Sequence, residues 1–264
     1  MTDKTLDIDP NEFSSFEELL RWGADIAGGA IGGAIGLVGG NLPGAIAGGA
    51  AGPLIARSLL RVGLDFHRRY LSPREQVRVG AVLALAVNKT SENMMRGKEQ
   101  NPRLAGTEAK RDSAKELCEA LVLAVQRDPQ EKKLNLYANL LGNLPFEEEI
   151  DVGEAHQLTR IAQELTYRQL CLVAVFADGK FNLRDGQYAD YAAMTPSLLS
   201  VLVDVCELWR EQIVVLRGSR VYITYDLIIP ARVQVYGIGG RLYRLMELST
   251  IDSNDLEEVA QFLR

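Results

Sequence analysis

The sequence predicts a mainly α protein: a glycine-zipper helical hairpin, a helical bundle and a small C-terminal winged-helix-like α+β module. Three observations carry this expectation. Seven glycines recur at intervals of four, Gly28, Gly32, Gly36, Gly40, Gly44, Gly48 and Gly52. Downstream, one helix-start signal follows another. After Thr195 the texture changes to helix, two β-rich runs and two more helices.

Residues 1–25 form an acidic N-terminal segment with two basic and seven acidic side chains. Within it, Glu12 to Trp22 alternates polar and apolar residues at helical spacing, with Ser14 or Ser15 placed to cap it and Glu17 or Glu18 three residues on. Trp22 falls at the edge of the apolar run that follows, where an interfacial tryptophan is favoured.

Residues 26–64 are the glycine-zipper segment. From Ile26 to Ala56 there is no charged side chain, and 19 of these 31 residues are Gly or Ala. Glycine in a helix interior costs roughly 0.5–1 kcal/mol relative to alanine. A ladder of them makes sense where another backbone packs on the stripe, as small-xxx-small spacing permits in lipid. One continuous helix would reach about 46 Å, more than the ~30 Å hydrocarbon core. A hairpin turning at Asn41-Leu42-Pro43 gives arms of roughly 22 and 20 Å, and Pro43 is suited to open the second helix. The hairpin is preferred. A spacing of four drifts ~40° per step around a helix, in the right-handed sense of glycine-mediated pairs. The segment is weakly hydrophobic and carries no aromatic residue. That composition suits a segment shielded at rest and inserted on triggering better than a permanent span.

Residues 57–133 carry sixteen basic and ten acidic side chains, so a basic block follows the apolar segment directly. Arg57, Arg61, Arg68, Arg69, Arg74 and Arg78 lead it. Arginine beside an apolar stretch holds that end on the cytoplasmic face and binds anionic headgroups, at ~1 kcal/mol each near the surface. The alternative is a solvated helix face.

Residues 65–192 read as a helical domain. Ser72-Pro73-Arg74-Glu75 is a capping box opening a helix to about Met95. Further helices are expected from Thr107 to Gln126, from Asp128-Pro129, from Asp151 and from Thr166. In residues 193–264, Thr195-Pro196 caps a helix, and Ile213–Leu216 with Val221–Thr224 flank Arg217-Gly218-Ser219-Arg220 as a hairpin. Helices over about Ile238–Leu248 and Asp255–Leu263 complete the winged-helix outline.

The chemistry-bearing residues are sparse, and no enzyme activity, cofactor or metal is expected. His67 and His156 lie at no metal-ligand spacing from a cysteine or carboxylate. The glycine run has no phosphate-loop lysine and no preceding strand. Cys118, Cys171 and Cys206 sit among apolar residues, an odd set expected to be buried and reduced. Nucleic acid is a weak expectation as partner, since residues 150–264 carry eleven basic and fifteen acidic side chains. Arg217, Arg220, Arg241 and Arg244 are the candidate contacts there. The first 25 residues lack a basic start and apolar core, so no signal peptide is read. A bacterial cytoplasmic protein associating with the anionic inner membrane, as a homo-oligomer, is the expectation. A soluble oligomeric adaptor or a winged-helix DNA-binding regulator, assembled through the glycine hairpin, is the alternative.

The run Asn135-Leu136-Tyr137-Ala138-Asn139-Leu140-Leu141, an acidic loop, and then Leu158 to Thr166 resembles bacterial proteins of the abortive-infection alpha type, over residues 75–250. The resemblance implies a phage-defence protein that damages its own cell's membrane when triggered. It carries over no functional residue, and the glycine ladder departs from that family.

Overall fold

A computed structural model of the chain describes residues 10–27, 53–105, 113–188, 194–216 and 224–264. The protein is mainly helical, with one small two-stranded antiparallel sheet among the described residues. It divides into two compact units, Met1–Gln163 and Glu164–Arg264.

Unit 1 is built around one long helix. The elements are α1 (Pro10–Trp22), α2 (Ala24–Ala27), α3 (Pro53–His67), α4 (Pro73–Met95), α5 (Pro102–Ala105), α6 (Ser113–Arg127), α7 (Leu134–Asn143) and α8 (Val152–Glu164). The central α4 packs against α1, α2, α3, α6 and α7. It manages this because its middle, Val79 to Val87, is almost wholly small or branched apolar residues, nearly all buried. Helices that are apolar on most sides belong in the middle of a bundle. Phe16, Leu19 and Leu20 of α1, Leu59, Val62 and Phe66 of α3 and Leu121 and Val125 of α6 complete the core.

Glycines set the closest crossings. A β-carbon on Gly80 of α4 would lie 2.3 Å from the Leu19 carbonyl oxygen, and one on Gly23 would lie 2.0 Å from the Ala81 nitrogen. Gly63 of α3 is covered by the Phe16 ring. Buried amides staple the far end: Asn93 Nδ2 donates to the Gly142 carbonyl at 3.0 Å and to Asn143 Oδ1 at 2.8 Å. Asn101 Nδ2 donates to the carbonyls of Glu147 and Ile150, both at 2.7 Å.

The helix-start signals largely hold. Ser72 caps α4 through its backbone N–H and its hydroxyl, which donate to Glu75 Oε2 at 2.7 and 2.6 Å. Thr166 accepts from the Gln169 N–H at 3.2 Å and donates its own N–H to Gln169 Oε1 at 2.8 Å. The Ser14/Ser15 cap does not form: α1 is already helical at Pro10, so both serines are interior. The turn at Asp128 enters α7 through a 3₁₀ turn, Glu131–Lys133. The boundary drawn between residues 64 and 65 falls inside α3.

Unit 2 packs around α9 (Tyr167–Asp178), whose residues Leu170 to Phe176 are all buried. Gly179, at φ 61°, ends it in the left-handed conformation that glycine adopts without strain. The rest is α10 (Pro196–Arg210), β1 (Val214–Leu216), β2 (Val233–Val235), α11 (Ile238–Leu245) and α12 (Ser253–Gln261). Strand β1 pairs antiparallel with β2, Val214 opposite Val235 and Leu216 opposite Val233. The hairpin expected from the sequence thus has a different described partner for 214–216; residues 217–223 lie outside the described residues. Val233-Gln234-Val235 is three residues long between Pro230 and Gly237, too short an alternation to stand out in the sequence.

Tyr167 donates to Asp255 Oδ2 at 2.8 Å, tying α9 to α12, and the Tyr243 hydroxyl of α11 donates to Asp178. Arg168 Nε meets Asp204 Oδ2 at 2.5 Å and Gln169 Nε2 donates to Glu207 Oε2 at 2.7 Å, tying α9 to α10.

Candidate functional site

The glycines of the ladder, Gly28, Gly32, Gly36, Gly40, Gly44, Gly48 and Gly52, lie outside the described residues. What is described is the frame on either side: α1–α2 leading in, α3 leading out.

Helix α3 turns one narrow face outward. Arg61, Asp65 and Arg68 recur at spacings of four and three, which places them within about 60° of arc at 3.6 residues per turn. Arg61 and Arg68 are exposed, and Asp65 pairs with Lys115 of α6 at 3.3 Å. The inward faces hold Leu59, Val62 and Phe66. Beyond α3 the chain turns through Arg69, Tyr70 and Leu71 into α4. Leu71 is buried, whereas Tyr70 is fully exposed.

The six arginines separate by role. Arg69 pairs with Glu119 at 2.7 Å and lays its guanidinium over the Phe66 ring, 4.2 Å from the centroid. Arg78 is half-buried and donates to the Gln126 carbonyl at 2.7 Å. Both bind the turn and α4 to α6. Arg61, Arg68 and Arg74 are exposed, and Arg57 is carried on the first turns of α3. Glu75 lies at the centre of the brace. Hydrogen bonds from the Ser72 hydroxyl, from Gln126 Nε2 (2.9 Å) and from the Ser72 backbone N–H draw its carboxyl down to about 2.

Trp22 is half-buried and stacks on His67, with ring centroids 5.1 Å apart and planes 12° from parallel. His67 Nε2 lies 3.4 Å from Glu18 Oε2. His67 therefore joins the ends of α1 and α3. His156 is exposed.

A buried charged cluster was not read from the sequence. Lys133 is wholly buried, with Nζ 2.6 Å from Asp128 Oδ2 and 4.8 Å from the centre of the Tyr137 ring. The Tyr137 hydroxyl lies 2.8 Å from the same Asp128 oxygen and 3.2 Å from the Ala162 carbonyl. Burial pushes the Lys133 ammonium down against the raising pull of Asp128. Burial pushes Asp128 up, but its bonds from Lys133, the Gln130 N–H and Tyr137 together carry it below its ordinary value. Burial, reinforced by Asp128, drives the Tyr137 phenol well up. Its signal in the sequence was Asp128-Pro129 followed by Lys133 and Tyr137, a lysine and a tyrosine one helical turn apart behind a capping aspartate.

In unit 2, a cleft of about 490 Å³ opens between the end of α9 and the turn before β2, floored by Phe176 and Pro230 and rimmed by Asp185 and Arg232 at 3.3 Å. Arg217 and Arg220 lie outside the described residues, Arg241 is half-buried and Arg244 exposed. Cys118, Cys171 and Cys206 are buried and joined in no disulfide. Among the described residues no three His, Cys, Asp or Glu side chains gather as a metal site, and no helix is long and apolar enough to cross a membrane. Compared with protein-family models, curated proteins and solved structures, the chain matches none.

Proposed function

We propose that the protein is a membrane-acting effector whose glycine-zipper segment inserts or oligomerises in a bilayer when triggered, in the manner of a pore-forming or membrane-disrupting agent of anti-phage defence. The observation that carries this reading is the charge-free stretch Ile26–Ala56, with glycine at every fourth residue and arginines at its exit. Such spacing lets backbones approach, and several copies joined through glycine faces would enclose a path through lipid. Arginines at the exit keep that end on the anionic inner leaflet. Unit 2, read as a winged-helix-like module, serves in this proposal to sense a protein trigger rather than to read DNA, since its charge balance is acidic. The structure lends the reading one supporting habit: this chain uses glycine elsewhere, at Gly23 and Gly80, to bring helix backbones together.

Cell fractionation with dye release from anionic liposomes is the test. The protein is expected in the membrane fraction when overproduced and to release dye. Retention in the soluble pool, with no dye release, supports the soluble oligomeric adaptor instead; the weak hydrophobicity of a segment with 19 Gly and Ala in 31 residues favours that second reading.

A further inference from the structure

The outward face of α3 and the turn after it share an unusual balance of charge. Between Pro53 and Arg78 the chain has six arginines and two carboxylates, Asp65 and Glu75. Asp65 is held by Lys115, and Glu75 by Ser72 and Gln126. Arg69 and Arg78 are engaged with Glu119 and the Gln126 carbonyl. Arg61, Arg68 and Arg74 are also exposed, and Tyr70, next to Arg69 in the chain, stands at 102% of its reference area. An aromatic ring wholly in water contributes nothing to the packing of unit 1.

We infer that this stripe and turn are a docking surface for an anionic phospholipid leaflet, with α3 lying along the membrane and Tyr70 set among the headgroups. The inference rests on the membrane reading above and adds to it the surface, the orientation and the aromatic anchor. Charge complementarity supplies the attraction, because arginines outnumber carboxylates six to two over this stretch. Tyrosine has the amphipathic character that the headgroup region favours. Chain direction favours lipid over a polynucleotide: α3 follows Gly52, the last glycine of the ladder, immediately, and its 15 residues run about 22 Å from there towards the Tyr70 turn. Docking along α3 therefore brings the exit of the glycine ladder to the bilayer surface before any insertion.

The test is co-sedimentation of the full-length protein with vesicles of phosphatidylglycerol and phosphatidylcholine, and of phosphatidylcholine alone. Wild type is expected to sediment with the anionic vesicles only. Replacing Arg61→Gln, Arg68→Gln and Arg74→Gln together should weaken that binding on the order of a hundredfold, the loss due to three arginines at an anionic surface. Tyr70→Ser should cause a smaller loss that added salt does not abolish. The set Arg96→Gln, Lys98→Gln and Arg103→Gln removes the same charge from exposed positions beyond the other end of α4 and should leave binding unchanged. All these side chains are exposed, and circular dichroism will verify that each variant folds. Equal loss in both triple variants, or none in the first, overturns the docking surface. Retention of a single-stranded DNA oligonucleotide, in place of vesicles, assigns the stripe to nucleic acid and also overturns it. Dye release by wild type with undiminished binding of the first triple variant sinks this inference alone; a wild type that neither binds nor releases dye sinks the membrane reading with it.

Discussion

Gly23 and Gly80 meet backbone to backbone, so that a β-carbon on Gly80 would stand 2.8 Å from the Gly23 nitrogen as well as 2.3 Å from the Leu19 carbonyl oxygen. Neither neighbour is a side chain that can swing aside. Gly80→Ala should therefore separate α1 from α4 and cost about 1–3 kcal/mol, the range for overpacking a close contact. Gly240→Ala is the contrast: it lies in α11 with open space around it, and alanine there should gain roughly 0.5–1 kcal/mol. Urea denaturation midpoints of the two variants should move in opposite directions.

The buried pair Lys133–Asp128 should behave asymmetrically. Asp128→Asn leaves a wholly buried ammonium without its counter-charge and should cost about 3–5 kcal/mol. Adding Lys133→Met removes that charge and should restore most of the loss. Tyr137→Phe removes only a hydroxyl and should cost about 1 kcal/mol. A double variant no more stable than Asp128→Asn would show that the charge is not what the pocket requires.

Glu75 makes stability depend on pH in acid. Its folded carboxyl is drawn from an ordinary 4.5 to about 2, so the folded state holds its proton less readily than the unfolded chain does. The contribution is fully present above pH 4.5, and it is lost as pH falls through 2. Thermal midpoints of wild type and Glu75→Gln should differ most above that upper value and converge towards the lower one. A gap that stays constant over this window would exclude the linkage.

Replacing Gly36→Leu and Gly40→Leu raises hydrophobicity while blocking close approach. If glycine faces join copies of the chain, dye release should fall about tenfold, matching a lost helix contact of ~1–2 kcal/mol. Equal or greater release would show that the faces do not pack.

Much of the helical layout was legible because its signals are local. Ser72, Thr166 and Thr195 announce α4, α9 and α10 within four residues of chain, and a cap needs nothing distant to form. What the sequence does not announce depends on tertiary packing rather than on local signals. The β1–β2 pairing joins residues whose three-residue alternation carries little signal. The Lys133 cluster is built from nearby residues, but only the packing around it shows that the lysine is inside. Along the sequence the arginine block looks like one basic surface, whereas in the structure Arg69 and Arg78 find Glu119 and Gln126 about fifty residues away. Tyr70 has no periodicity to mark it, and its exposure is a property of the folded turn alone.

The three cysteines make the chain its own reporter of opening. Cys118 is buried in unit 1, and Cys171 and Cys206 are buried in unit 2. A thiol reagent applied in brief pulses labels a site only while its surroundings are parted. Peptide-resolved labelling would then time the excursions of each unit separately, and so reveal which half opens more readily.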